Sequence, residues 1–196
     1  MKCKRQCKTH IILVTYKFNT GVIERLKSIS KAAQNYILTV LDNSPDKYKD
    51  RFKLRITLKI IDPTIIYIDH KINCRFHAYN IGLKTSQSEF TVFRTDDDIF
   101  DERRTAKLID KGFQEDFIVT PYLHDDEYQA GDGYRRPLES LIIKTACLKS
   151  VLPFQASPNK DCELLRRLFA YKSCKNVPYI LMHKKSHKRE DPYYRS

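Results

Sequence analysis

The sequence predicts an α/β fold, a mostly parallel central sheet flanked by helices, and three observations carry that reading. Short apolar runs rich in β-branched residues recur at His10 to Tyr16, Tyr36 to Leu41, Thr64 to Ile68 and Glu89 to Arg94. Runs with little polar alternation suit strands covered on both faces, as in parallel sheets. Between the first two lies a segment with Val22, Ile23, Leu26, Ile29 and Ala33 at helical spacing, the crossover that a parallel pair needs. The fourth run leads directly into Asp96-Asp97-Asp98, so these acids fall at the C-terminal end of a strand, where open α/β sheets bind ligands.

Taken in order, the first run is a central strand, Thr20-Gly21 opens the amphipathic helix, and the second run ends in the turn-rich Asp42-Asn43-Ser44-Pro45-Asp46, which completes a βαβ unit. Leu54 to Ile60 alternates apolar and polar residues and predicts an edge strand, separated by Asp62-Pro63 from the buried strand at 64–68. Phe76, Tyr79, Ile81 and Leu83 predict a short helix over 74–86. Past the acids, 103–113 is helical and 117–122 a strand. Residues 124–136 form a polar loop with two of the five glycines, a lid or acceptor-binding segment. Leu141 to Val151 is apolar and fits either type; 161–172 places Leu164, Leu165, Leu168 and Phe169 on a helical face, and 177–182 returns as a strand.

A length of 196 residues fits one domain spanning 1–196, and 41% apolar residues supply a core. The net charge of +12 favours an anionic partner, but +4 of it lies in residues 1–8 and +3 in 183–196, so the body is only moderately basic. With no apolar stretch of membrane-span length and no signal-like start, the reading is a soluble, cytoplasmic protein without an integral membrane segment. Six dispersed cysteines point to reduced thiols, and Cys3, Cys7 and His10 have a spacing that matches no standard zinc knuckle.

Three consecutive carboxylates repel one another and raise each other's pKa, a cost that a divalent cation removes. In an extended segment, residues i and i+2 share a face, so Asp96 and Asp98 can converge on one ion. Paired hard oxygen ligands suit Mn²⁺ or Mg²⁺ carrying a diphosphate. A solvated acidic turn capping the following helix would leave the same sequence trace.

The series Ile11-Ile12-Leu13-Val14-Thr15-Tyr16, Val40-Leu41-Asp42-Asn43-Ser44, Asn80-Ile81-Gly82, Phe93-Arg94-Thr95-Asp96-Asp97-Asp98 and Asp161-Cys162-Glu163-Leu164-Leu165-Arg166-Arg167 resembles glycosyltransferase family 2 in order and spacing, over residues 10 to about 185. The resemblance implies a GT-A fold, with a nucleotide-sugar donor half over about 10–100, an acceptor half over about 101–185 and a basic tail over 186–196. It implies a metal-assisted, inverting transfer of a sugar from a nucleoside-diphosphate sugar, UDP favoured, to a hydroxyl of a glycan or other acceptor. Thr15 and Tyr16 would then flank base and ribose, Asp42 would accept a hydrogen bond from the base, and Asp96 and Asp98 would hold metal and diphosphate. Asp161 matches the family's general base. His183, after the last strand, is a further candidate metal ligand, with His187 behind it in the basic tail; the remaining histidines, His70 and His77 among them, are assigned to loops or packing.

The chain departs from the family pattern in two places. Ala78-Tyr79-Asn80 stands where many members have Ala-Arg-Asn, so the diphosphate's basic contact passes to Arg75 or Lys84. Arg94 stands where an apolar residue is common, which leaves the register of the acidic pair open by one position and keeps Asp97 a candidate. A basic nucleic-acid-binding protein is the rival from another class, but no recognised binding motif appears. A metal-dependent nucleotidyltransferase could also use paired aspartates, without requiring Asp161.

Overall fold

The structure is a computed structural model and describes residues 7–16, 20–32, 35–49, 51–130, 133–154 and 160–186, without the side chains of residues 51, 52, 160 and 161. The first elements are β1 (Thr9–Thr15), α1 (Thr20–Ala32) and β2 (Tyr36–Asp42), the βαβ unit that the apolar periods predict. All of β1 is buried, and α1 turns Val22, Leu26 and Ile29 inward. Then come α2 (Arg51–Ile61), β3 (Ile66–Asp69), α3 (Arg75–Thr85) and β4 (Phe90–Thr95).

The edge strand expected at 54–60 is part of α2. An apolar residue at every second position is also apolar at every fourth, and residues four apart share a helix face. Leu54 and Leu58 are buried, while Ile60 is 78% exposed and Ile56 lies with it on the outer face. The alternation belonged to two faces of one helix.

The later elements are shorter: β5 (Ile99–Phe100), α4 (Glu102–Lys111), β6 (Phe117–Val119), β7 (Tyr122–His124), β8 (Glu127–Gln129), β9 (Leu141–Lys144), α5 (Thr145–Ser150), α6 (Lys160–Tyr171), β10 (Cys174–Asn176) and β11 (Met182–Lys184). The strand expected at 117–122 is two strands parted at Pro121. That expected at 177–182 is a link that bends at Pro178 and meets β11 only at Met182. Both breaks fall at a residue that cannot donate to a ladder. The ambiguous run 141–151 holds β9 and α5 in succession, and the polar loop at 124–136 opens as the β7–β8 hairpin, turned by Asp125 and Asp126 at positive φ.

The central sheet has the order β10-β6-β9-β4-β1-β2-β3, in which β9 runs against the other strands. Its two faces carry separate cores. Ile11, Leu13, Val40 and Val92 pack under α1, α2 and α4; Ile12, Val14, Leu41 and Phe93 pack under α3, α5 and α6. Gly82 lets α3 close onto the sheet: a Cβ there would stand 2.8 Å from Ile12 Cγ2. The second sheet, β5-β11-β7-β8, lies beyond the acids.

Candidate active site

Parallel strands present their last residues along one rim, and here the rim of β4, β1, β2 and β3 is joined by hydrogen bonds. Asp96 Oδ2 accepts from Thr15 Oγ1 at 2.7 Å and from Tyr16 N at 2.8 Å. Asn43 N donates to Thr15 O at 2.9 Å. Asn43 Oδ1 meets His70 Nδ1 at 2.6 Å, and His70 Nε2 meets His77 Nδ1, on the first turn of α3, at 2.6 Å. With strands about 4.8 Å apart, the line from β4 to β3 spans roughly 14 Å.

The three acids have distinct surroundings. Asp96 is half-buried, and its Oδ1 makes no hydrogen bond among the described residues. Asp98 is buried, with Oδ2 on Thr95 Oγ1 at 2.8 Å and Oδ1 on Lys185 N at 3.1 Å. Burial pushes its carboxyl above the ordinary aspartate value, the Thr95 hydroxyl pulls it back, and the charge of Glu139 adds to the rise. Asp97 is half-buried between them. The cap of α4 is Asp101, which accepts from Arg104 N at 2.9 Å, so the helix does not draw its cap from the triple aspartate. Behind the cluster, the half-buried Arg25 of α1 feels the charges of Glu102, Asp98 and Asp96, and its guanidinium lies 5.6 Å from the Phe100 ring centre. Protein donors and a nearby cation therefore offset part of the repulsion that the sequence poses.

Arg94, the departure from the apolar pattern, is a structural bolt. It lies on the face of β4 under α4, where Nε and Nη2 pair with Glu102 at 2.9 and 3.0 Å, and its guanidinium covers Phe100 at 4.3 Å. Its Nη1 donates to Phe93 O at 2.9 Å. A planar five-donor head satisfied on every side can be buried where a lysine could not.

At the β2 end, Asp42 is fully buried. Oδ1 accepts from Ser44 N at 2.9 Å and from Ser44 Oγ, and Oδ2 accepts from Tyr67 OH at 3.0 Å. The Lys49 side chain, 1% exposed, bridges Asp42 O and the Asp69 carboxylate. Arg75 stands at the rim end of α3, with Nη1 3.3 Å from Glu139 Oε1. Glu139 is buried and also accepts from Tyr79 OH at 2.7 Å. Burial alone would raise its carboxyl, but Arg75 and Tyr79 outweigh that and hold it below the ordinary glutamate value. Tyr79 itself is core, its ring 4.4 Å from that of Phe93, so it reaches the site only through Glu139.

Other candidates stand apart from the rim. Asn80 is held by the backbone of Phe154 through bonds of 3.1 and 3.0 Å. Lys84, in the last turn of α3, is about 14 Å along the helix from Arg75. Of the two proposed substitutes for the family's basic contact, Arg75 is the one at the rim; the short helix carries Lys84 to the opposite edge of the sheet. His183 sits on β11 opposite Ile99. Asp96, Asp98 and His183 do not gather, and among the described residues no three His, Cys, Asp or Glu side chains form a metal-holding group. Asp161 falls in the first turn of α6, its side chain outside the described residues, as is all of His187. The sequence reading passed over Lys49, Glu139, Arg25 and the His70–His77 pair; their pairing depends on how separate elements meet, and no local spacing records it.

No protein-family model and no curated protein sequence matches the chain. Solved structures do. The crystal structure of residues 1–349 of S. aureus TarS in complex with UDP-GlcNAc superposes with a TM-score of 0.75 at 17% identity, covering 96% of this chain and 61% of that one. The same TarS fragment in complex with UDP gives 0.67 at 15% identity, over 91% of this chain and 60% of that one. A longer TarS structure gives 0.71 at 15% identity, with 37% of its length covered. The chain thus spans between about a third and three fifths of these solved chains. With the parallel rim, the antiparallel β9 and the small sheet after the acids, the chain has the GT-A fold.

Proposed function

We propose that the chain is an inverting glycosyltransferase that moves a sugar from a nucleoside-diphosphate sugar, UDP favoured, to a hydroxyl of a glycan or other acceptor. The observation that carries this is the hydrogen-bonded rim from Asp96 to His77 on a GT-A sheet. It offers carboxylate chemistry at one end and hydrogen-bonding rings at the other, over the length of a nucleoside diphosphate. The TarS structures in complex with UDP-GlcNAc and UDP support the donor class.

In this reading Tyr16, 38% exposed, and Thr15 flank the nucleoside. Arg75 faces the diphosphate, and Asp42 fixes the end of β2 through Ser44 and Tyr67. Asp96 would hold Mn²⁺ or Mg²⁺ through its open Oδ1. Asp98, buried and already bonded to Thr95 and Lys185, Asp97 and His183 are the remaining candidate ligands, and diphosphate oxygens would complete the shell. Such an ion supplies neutralisation of the charge growing on the departing nucleoside diphosphate. Asp161 takes the acceptor hydroxyl's proton as its oxygen bonds to the anomeric carbon, and the electron pair of the breaking C–O bond leaves with the diphosphate. One such displacement inverts the anomeric centre.

The test is UDP release from a panel of UDP-sugars with Mn²⁺ and hydroxyl acceptors, for the chain and for Asp161→Asn. Release that falls about 100-fold or more in the variant, with UDP affinity kept, is the expected result. An equal rate in the variant would remove Asp161 from the mechanism. Binding without release from any donor would leave a nucleotide-sugar binder.

A further inference from the structure

The His70–His77 pair closes the far end of that rim, and the transfer step above assigns neither ring a contact. His70 is buried, and His77 is exposed on α3. The amide oxygen Asn43 Oδ1 can only accept, so His70 Nδ1 carries a proton toward it. Burial, then the neighbouring His77, push the His70 imidazole below its ordinary value, against a backbone hydrogen bond at Ile72 that raises it; in the neutral ring with its proton on Nδ1, Nε2 is the bare nitrogen. His77 Nδ1 must then donate to that nitrogen across the 2.6 Å contact. A neutral His77 so oriented is left with a bare Nε2, and that nitrogen makes no hydrogen bond among the described residues. The relay has converted an exposed imidazole, which could serve as donor or acceptor, into an acceptor.

Position says what that acceptor meets. A nucleoside diphosphate with its phosphates at Asp96 that followed the hydrogen-bonded rim toward β3 would bring its base to the β2–β3 end. Asp42, the carboxylate to which the resemblance gives the base, is sealed there by Ser44 and Tyr67.

We propose that His77 is the base-reading residue of the donor site, its Nε2 accepting the N3–H of uracil, with His70 and Asn43 as positioning residues that fix its tautomer. Cytosine presents a lone pair at the same ring position, so UDP and CDP differ at the atom concerned. The inference rests on the nucleotide-sugar reading above.

The test is calorimetric titration of the full chain with UDP and with CDP, in Mn²⁺ at pH 8, for wild type, His77→Ala and His77→Gln, each checked for folding by thermal melt. Wild type is expected to prefer UDP by roughly tenfold, the worth of one well-placed hydrogen bond. His77→Ala should bring the ratio near one by weakening UDP alone, and His77→Gln, whose amide oxygen can accept, should restore part of it. A folded His77→Ala protein with the wild-type ratio, or a wild type that binds both equally, overturns the base assignment and leaves the donor site standing. A wild type that binds neither overturns both.

Discussion

β1 and β2 run for seven residues each, with all of β1 buried, whereas the strands of the second sheet are two or three residues long and carry exposed side chains such as Ile99 and Tyr128. The long strands are set in register by burial, since a one-residue slip would exchange the two apolar faces. The short ones pair over two or three residues around a small buried cluster, Phe100, Tyr122 and Met182, and add polar ties. Lys185 N reaches Asp98 Oδ1 at 3.1 Å, Ser186 N reaches Asp125 Oδ1 at 2.8 Å, and Lys185 Nζ reaches Asp126 Oδ1 at 3.1 Å. The rim therefore rides on a packed scaffold. The face beyond the acids has a smaller core, backed by a part-buried tie at Asp98 and exposed ties at Asp125 and Asp126.

The sharpest way to break this contrast is at Arg94, which joins β4 to α4. Arg94→Met takes from Glu102, 4% exposed, its hydrogen-bonded partner and should cost about 3–5 kcal/mol in urea unfolding, while Arg94→Met/Glu102→Met should recover most of it.

The scaffold half also has a pH signature. His10, in β1, donates to or accepts from Thr39 Oγ1 at 2.8 Å, and burial, then Lys149, lower its pKa from 6.5 to about 4. Below pH 6.5 the unfolded chain takes up the proton that the folded chain refuses. This contribution is absent above that pH, destabilises progressively down to about 4 and then levels off. Urea unfolding should show about 2–3 kcal/mol more stability lost between pH 7 and pH 4.5 in wild type than in His10→Gln. A smaller effect belongs to the helix contact: Gly82→Ala drives a methyl against Ile12 and Leu41 and should cost about 1–3 kcal/mol by the same assay. Equal losses from comparable changes at the tip of β8 would erase the distinction between the sheets.

Legibility in the sequence follows the same divide. β1, β2 and β4 are written as apolar runs because both sheet faces bury them, and α1, α3, α4 and α6 as helical periods. α2 was misread because Leu54, Ile56, Leu58 and Ile60 satisfy the strand period and the helix period together. Strands of two or three residues carry no period, so β5, β8 and β11 leave no trace of their own. At the site, Asp96 and Asp98 could be found by residue type and position after a strand. Glu139 and Arg75, or His70 and His77, become pairs only when α3 docks beside the rim. The identity of Arg94 likewise makes sense only once Glu102 stands opposite it on α4.

The measurement closest to the central claim is UDP binding by calorimetry, with and without Mn²⁺, for wild type and for Asp96→Ala shown to be folded. The account predicts Mn²⁺-strengthened binding by wild type and its loss in the variant. A wild type that binds no UDP in either condition, or a variant that binds as well as wild type, would contradict it.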